Sequence, residues 1–296
     1  MKPVLFGLLV LVALWYGAVW LRDLAARRRA GERLLPSLIE NALGFVTNFF
    51  DTLGIGSFAP TTSVFRLRGL VPDEKIPGTL NVGHTPPVIA QAFIFVTLVA
   101  IDPVTLVVLI AAAVLGAWLG AGVVTHWPRD RIRRGMGLGL LVAGLLMVLK
   151  NLDELRGVPM FQGGEAIGLD PPLLVLAAAL NFVLGAVVTL GIGNYAPSLI
   201  MISLLGMNPL TAWPIMMGAC AFLMPMASVR FVRAGRYQPA PALGLALGGL
   251  PAVLIAGLLV KSLPLTTVRW LVVVVVLYTA FNMLRRQRAT EPSPAA

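Results

Sequence analysis

The sequence predicts an all-α polytopic membrane protein. Its expected plan is two inverted repeats, each a re-entrant helical hairpin plus three transmembrane helices, behind an extra N-terminal transmembrane helix. Three observations carry this. The chain of 296 residues is 58% hydrophobic and only 12% charged, where soluble domains carry roughly 25% charged residues. Its apolar runs are continuous, as in "LVVLIAAAVLGAWLGAGVV" at 106–124, whereas the strands of a membrane barrel alternate apolar and polar. Finally, "DTLGIGSFAP" at 51–60 returns as "TLGIGNYAP" at 189–197.

The first apolar run, 3–21, is long enough for the roughly 30 Å hydrocarbon layer. Arg-rich sequence follows it where a signal peptide would have a small-residue cleavage site, so it reads as a retained anchor with its N-terminus outside. Residues 1–35 form this anchor and a basic cytoplasmic linker. Repeat 1 takes 36–150, with a hairpin at 36–66 and helices at 76–101, 103–127 and 133–150. An extracytoplasmic loop, 151–171, leads to repeat 2 at 172–284, with a hairpin at 172–207 and helices at 210–233, 241–261 and 264–284. A cytoplasmic tail, 285–296, closes the chain.

Charge decides the hairpins. The net charge of +10 is carried by clusters between apolar runs: "RDLAARRRAGER" at 22–33, "RLR" at 66–68, "RDRIRR" at 129–134, "RFVRAGR" at 230–236 and "RRQR" at 285–288. Loop 151–171 holds four acids and Arg156 alone among bases. If 36–66 simply crossed, "RDRIRR" would fall outside and the acidic loop inside. If 36–66 and 172–207 enter and return, both obey the positive-inside rule. The basic balance therefore reads as multi-pass membrane topology with a cytoplasmic C-terminus, and not as nucleic-acid binding.

Three crossings per half turn the second half upside down, and inverted repeats place their substrate site near the midplane where broken helices meet. At an offset of 137, Phe45 and Val46 match Phe182 and Val183, seven of nine motif residues agree, and Gly69, Pro72 and Pro77 match Gly206, Pro209 and Pro214.

Two Gly-rich breaks followed by Ala-Pro, each opening a half of hydrophobic helices, resemble the TauE/SafE family of sulfite and organosulfonate exporters. The resemblance spans residues 36–284, leaving the anchor 1–35 and the tail outside. Family members usually carry more glycine at the break than "GIGSFAP" and "GIGNYAP" do. The resemblance implies transport of a small sulfur-containing anion or a related organic acid across the inner membrane of a bacterial cell.

Glycines disfavour a helix interior by about 1 kcal/mol each, and proline lacks the N–H. Irregular backbone at membrane depth has to line a cavity or be buried in protein. Ser57 and Asn194 stand where N-caps belong, with Pro60 and Pro197 in the following turn. The N–H groups and positive dipole of such a helix start attract anions. The expected substrate-binding set is Thr52, Gly54, Gly56, Ser57 and Thr61 at the first break, and Thr189, Gly191, Gly193, Asn194, Tyr195 and Ser198 at the second, with Phe58 and Tyr195 shaping the wall. The bland alternative is that the glycines only permit close helix packing.

Ionisable residues in apolar runs are functional suspects. Asp51, whose counterpart is Val188, either binds a coupling proton or caps backbone N–H groups. His84, in "NVGHTPP", either titrates near neutral pH or donates to a neighbouring carbonyl. Glu40 reads as interfacial, and Asp102 and His126 as helix caps. Cys220 reads as a packing residue, and no metal or cofactor is expected. The partners expected are a small anionic substrate and membrane lipid, without nucleic acid, and with a homodimer left open.

An enzyme is not expected. Ser57 with a histidine superficially resembles an intramembrane serine protease, but a catalytic serine would not be duplicated as Asn194. An anion channel and a carboxylate or organic-acid permease remain the alternatives. Export is favoured on physical grounds, because an anion leaving a negative interior gains about 2.3 kcal/mol per charge per 100 mV.

Overall fold

A computed structural model describes residues 2–53, 56–72, 75–124, 164–188 and 195–259, with scattered positions in 138–152 and 270–285. Among these the secondary structure is helical, with one isolated bridge between Ala166 and Met207. The helices are α1 (Lys2–Arg29), α2 (Leu38–Thr52), α3 (Phe58–Leu67), α4 (Ile76–Leu98), α5 (Pro103–Val124), α6 (Pro171–Val188), α7 (Tyr195–Leu204), α8 (Ala212–Arg233) and α9 (Pro239–Leu259). Pro3–Arg29, Ala212–Arg233 and Pro239–Leu258 are long and apolar enough to cross a membrane. The expected helices at 133–150 and 264–284 lie largely outside the described residues, as do 125–127 and 260–261 at the ends of two others.

Local sequence sets the helix ends. Ser37 and Glu40 form a reciprocal capping box at the start of α2, which satisfies two otherwise orphaned N–H groups. Asp102 accepts from the Thr105 N–H at 2.7 Å and so caps α5. Gly69 and Gly206, 137 residues apart, take positive φ angles of 59° and 78° just past α3 and α7. The N–H of Leu70 then reaches back to the Phe65 carbonyl, and that of Met207 to Ile202, the same helix-ending turn at both places. The helices repeat as well: α3 starts at 58 and α7 at 195, again 137 apart, and both have 10 residues.

Small residues decide how the long helices pack. A Cβ on Gly248 would lie 2.0 Å from the Asn41 carbonyl oxygen, and one on Gly44 would lie 2.5 Å from that of Gly244. Asn48 lies against Gly249, so the register rises together and α2 runs parallel to α9. Similarly, the Asn181 amide donates to the Leu109 carbonyl at 2.6 Å. Gly185 abuts Ala113, which makes α6 parallel to α5.

The α4 helix runs parallel to α9, since Gly83 meets Ala242 and Leu245 while Ile94 meets Gly257. It is antiparallel to α8: Thr79 Oγ1 accepts from the Gln238 N–H just beyond α8, Thr85 meets Ser228 at 2.9 Å, and Phe95 meets the Trp213 ring. Hence α2, α4 and α9 share one sense. The anchor α1 runs against α4, with Phe6 stacked on Phe93 and the Tyr16 hydroxyl donating to the Val82 carbonyl at 2.7 Å.

These directions sort the connections between two ends. The linker after α1 and the turn 234–238 share one end, where the Arg27 guanidinium lies 4.8 Å from the Tyr237 ring centroid. At the other, the Asp102 N–H donates to the Ile167 carbonyl and the Asn208 N–H to that of Ala166, both at 2.8 Å.

Candidate functional site

The first break follows α2. Asp51, in its last turn, is half-buried, and the carboxylate uses both oxygens. Oδ1 accepts the Ser57 backbone N–H at 2.8 Å, and Oδ2 accepts Gln91 Nε2 at 3.0 Å. Gln91, from the middle of α4, also donates to Thr52 Oγ1 at 3.0 Å. Thr52, completely buried, returns its own proton to the Asn48 carbonyl at 2.8 Å. Gln91 is likewise completely buried, and its Oε1 has no hydrogen-bond partner.

One turn lower, the amide of Asn48 donates to the Gly44 carbonyl at 2.7 Å. This leaves its Oδ1 as acceptor for His84 Nδ1, 3.0 Å away. Thr61 Oγ1 lies 2.7 Å from the Ser57 carbonyl and 3.2 Å from His84 Nε2. A hydroxyl has one proton. With Thr61 donating to Ser57, Nε2 must be protonated to bond it; with His84 neutral, Thr61 can serve Nε2 only by releasing Ser57. The Phe58 ring completes this layer, 5.6 Å from the imidazole by centroid.

The structure thus brings Asp51, Thr52, Ser57, Thr61 and His84 together. Gly56 adopts φ +82° with nothing within 4 Å of a built Cβ, the left-handed conformation that favours glycine. Gly54 lies outside the described residues, as do Thr189, Gly191, Gly193 and Asn194. Tyr195 opens α7, and Ser198 is buried.

One expectation is corrected. Ser57 stands at the N-cap position of α3, but its backbone is helical (φ −85°, ψ −29°) and its side chain makes no capping bond. An N-cap side chain acts from an extended backbone; here the Asp51 carboxylate does that work from the preceding helix. The Ser57 amide is therefore already occupied by a carboxyl group belonging to the chain. Of the two readings of Asp51, the observed contact is that of a cap on backbone N–H. His84 also finds a carbonyl, but that of the Asn48 side chain and not of the backbone. Glu40, in the first turn of α2, is only 1% exposed; it pairs with Arg33 at 2.6 Å while serving the capping box.

Asn48 and Gln91 are the residues that sequence reasoning missed. Both are uncharged polar groups inside apolar runs, "FVTNFFDT" and "VIAQAFIF". Asn48 lies four residues before Thr52, and Gln91 lies seven after His84, spacings that put each pair on one helix face.

Residues 1–147 match the family model Sulfite exporter TauE/SafE. This half of the chain belongs to the TauE/SafE family. No curated protein and no solved structure gives a significant match. The match begins at residue 1, so the anchor is part of the TauE/SafE unit and not outside it, as the sequence pattern implied. Its packing against α4 through Phe6 and Tyr16 gives the physical reason. Family and apolar helices together make this a membrane protein of transporter type.

Proposed function

We propose that this TauE/SafE protein exports a small anion, sulfite or an organosulfonate, across the bacterial inner membrane through a midplane site between two opposed, broken helical hairpins. The observation that carries the reading is directional. α2 and α4 run in the same sense, Asn48 lies level with His84, and Asp51 lies level with Gln91. A chain joining two parallel helices has to return between them, and α3 lies on that return. Leu43, Phe65, Ile76 and Leu80 share one buried cluster, as expected if α3 comes back beside α2 to the start of α4. Re-entrant backbone of this kind is tolerated only where protein buries it or a cavity admits water.

The inverted arrangement is supported by reciprocity. α2 packs on α9 and α6 on α5, so each half lends its first helix to the other half, while α4 and α8 cross antiparallel between them. Two breaks related in this way would meet near the centre, where the N–H groups of two helix starts suit the oxygens of a sulfite or sulfonate. With basic clusters inside, the N-terminus is outside and the C-terminus is cytoplasmic.

Flux from proteoliposomes tests the substrate, with sulfite, thiosulfate, small sulfonates and simple carboxylates offered under matched voltage. Saturable sulfite or sulfonate efflux is expected. Transport of carboxylates alone would overturn the substrate, unitary conductance would replace the transporter by a channel, and a requirement for an inward cation gradient would overturn voltage-driven export.

A further inference from the structure

We propose that Asp51 is an internal counter-anion: its carboxylate, held by Gln91, occupies the start of α3 in place of substrate, and an external anion enters this break only when Asp51 is displaced or protonated. The inference rests on the anion-transport reading above and adds how its site is regulated.

A helix start attracts negative charge through its free N–H groups and its dipole. At α3 one of those N–H groups is already taken, because Ser57 N donates to Asp51 Oδ1 at 2.8 Å. The other oxygen is tied to α4 through Gln91 Nε2 at 3.0 Å. Among the described residues no cation pairs with the carboxylate. A sulfonate brought to the same amide would face an uncompensated like charge in a poorly screened setting, which repels strongly at a few ångströms. Gln91 is built to hold Asp51: both donors of its amide are spent on Asp51 and Thr52, and its buried Oε1, beside the break, has no partner. The matching position in the second half is Val188, so the halves differ in charge at this point.

The groups around Asp51 are Asn48 and Thr52 on α2, Ser57 and Thr61 on α3, His84 and Gln91 on α4, and the Cys220 thiol of α8, which lies within its electrostatic reach. Of these only His84 and Cys220 can titrate, and neither is hydrogen-bonded to Asp51. Asp51→Asn keeps an oxygen to accept from Ser57 while removing the charge. It therefore separates the gate from both neighbours.

The test is equilibrium binding of methanesulfonate and 2-hydroxyethanesulfonate, ionised throughout the range, to full-length protein in nanodiscs. Wild-type affinity should rise about tenfold or more as pH falls from about 8 to about 5, because protonation removes the competing charge. Asp51→Asn should bind tightly across that range without the slope. A flat wild-type profile overturns the proposal even if the variant does not fold, and so does a variant that is folded yet binds more weakly or keeps the wild-type slope. Binding by both proteins with identical profiles removes the gate and leaves the transport reading standing. Failure of both sulfonates to bind either protein at any pH removes the gate and the sulfonate arm of the transport reading, leaving sulfite to the flux measurement.

Discussion

Gly248 marks the tightest requirement at the α2–α9 contact, and its neighbour there is backbone. An added Cβ would sit 2.0 Å from the Asn41 carbonyl oxygen, which cannot turn away as a side chain would. Gly248→Ala should destabilise the purified protein by about 1–3 kcal/mol, the usual cost of overpacking, despite the better helix propensity of alanine. Gly17 of α1 has nothing within 4 Å of the same built atom, so Gly17→Ala is the matched control and should hold or slightly raise the melting temperature. Equal melting shifts would refute the close-packing account. Such glycines were legible in the sequence only as breakers or packers without a partner, because the partner lies about 200 residues away in the chain. The polar residues show the same boundary. Asp51, Thr52, Ser57, Thr61 and His84 could be named from the motif and its neighbourhood, but Gln91 acquires its role only when α4 lies against α2.

At the scale of elements, α1 changes meaning most. It reads as an anchor from hydropathy, yet its basic end is built into the bundle. Arg27 pairs with Asp23 at 2.6 Å and with Glu32 at 2.9 Å, and lies over the buried Tyr237 ring, whose hydroxyl donates to Asp23. Burial, and next the Asp23 carboxylate, push the Tyr237 hydroxyl above its usual range. The folded state thus favours the neutral phenol. Its contribution is present below the usual tyrosine pKa, near 10, and is lost as pH rises through the raised value. Tyr237→Phe should cost about 1–3 kcal/mol at neutral pH, as for a lost bond to a charged partner, and should lessen the fall in melting temperature under alkaline conditions. An unchanged melting temperature at neutral pH would mean that the contact does not hold α1. Element boundaries were closer to legible: the run 76–101 became Ile76–Leu98, and 210–233 became Ala212–Arg233. Each starts at or just before a proline, which presets the first turn.

For the whole molecule, what the sequence carried was correspondence; what it did not carry was contact. The offset of 137 relates the α2 segment to α6 and α3 to α7, but nothing in it says that α2 packs on α9, or α6 on α5, since glycine spacing is shared by many apolar helices. Charge does carry orientation. Arg28, Arg29, Arg233 and Arg236 are exposed at or just beyond the ends of α1 and α8, whereas Glu165 and Asp170 are exposed in the loop that joins the opposite end. By the positive-inside rule, we propose that the arginine end faces the cytoplasm. A cysteine placed at Arg236 in a Cys220→Ala background should be labelled by a membrane-impermeant maleimide only after the inner membrane is permeabilised. One placed at Glu165 should react once the reagent reaches the outer side of that membrane. The reverse pattern would invert the molecule and turn the proposed exporter's access around. Labelling of both positions from one side would be worse for the reading. The number of crossings between Glu165 and Arg236 would then be even, and the returning path through α6 and α7, with the opposed breaks that depend on it, would have to be abandoned.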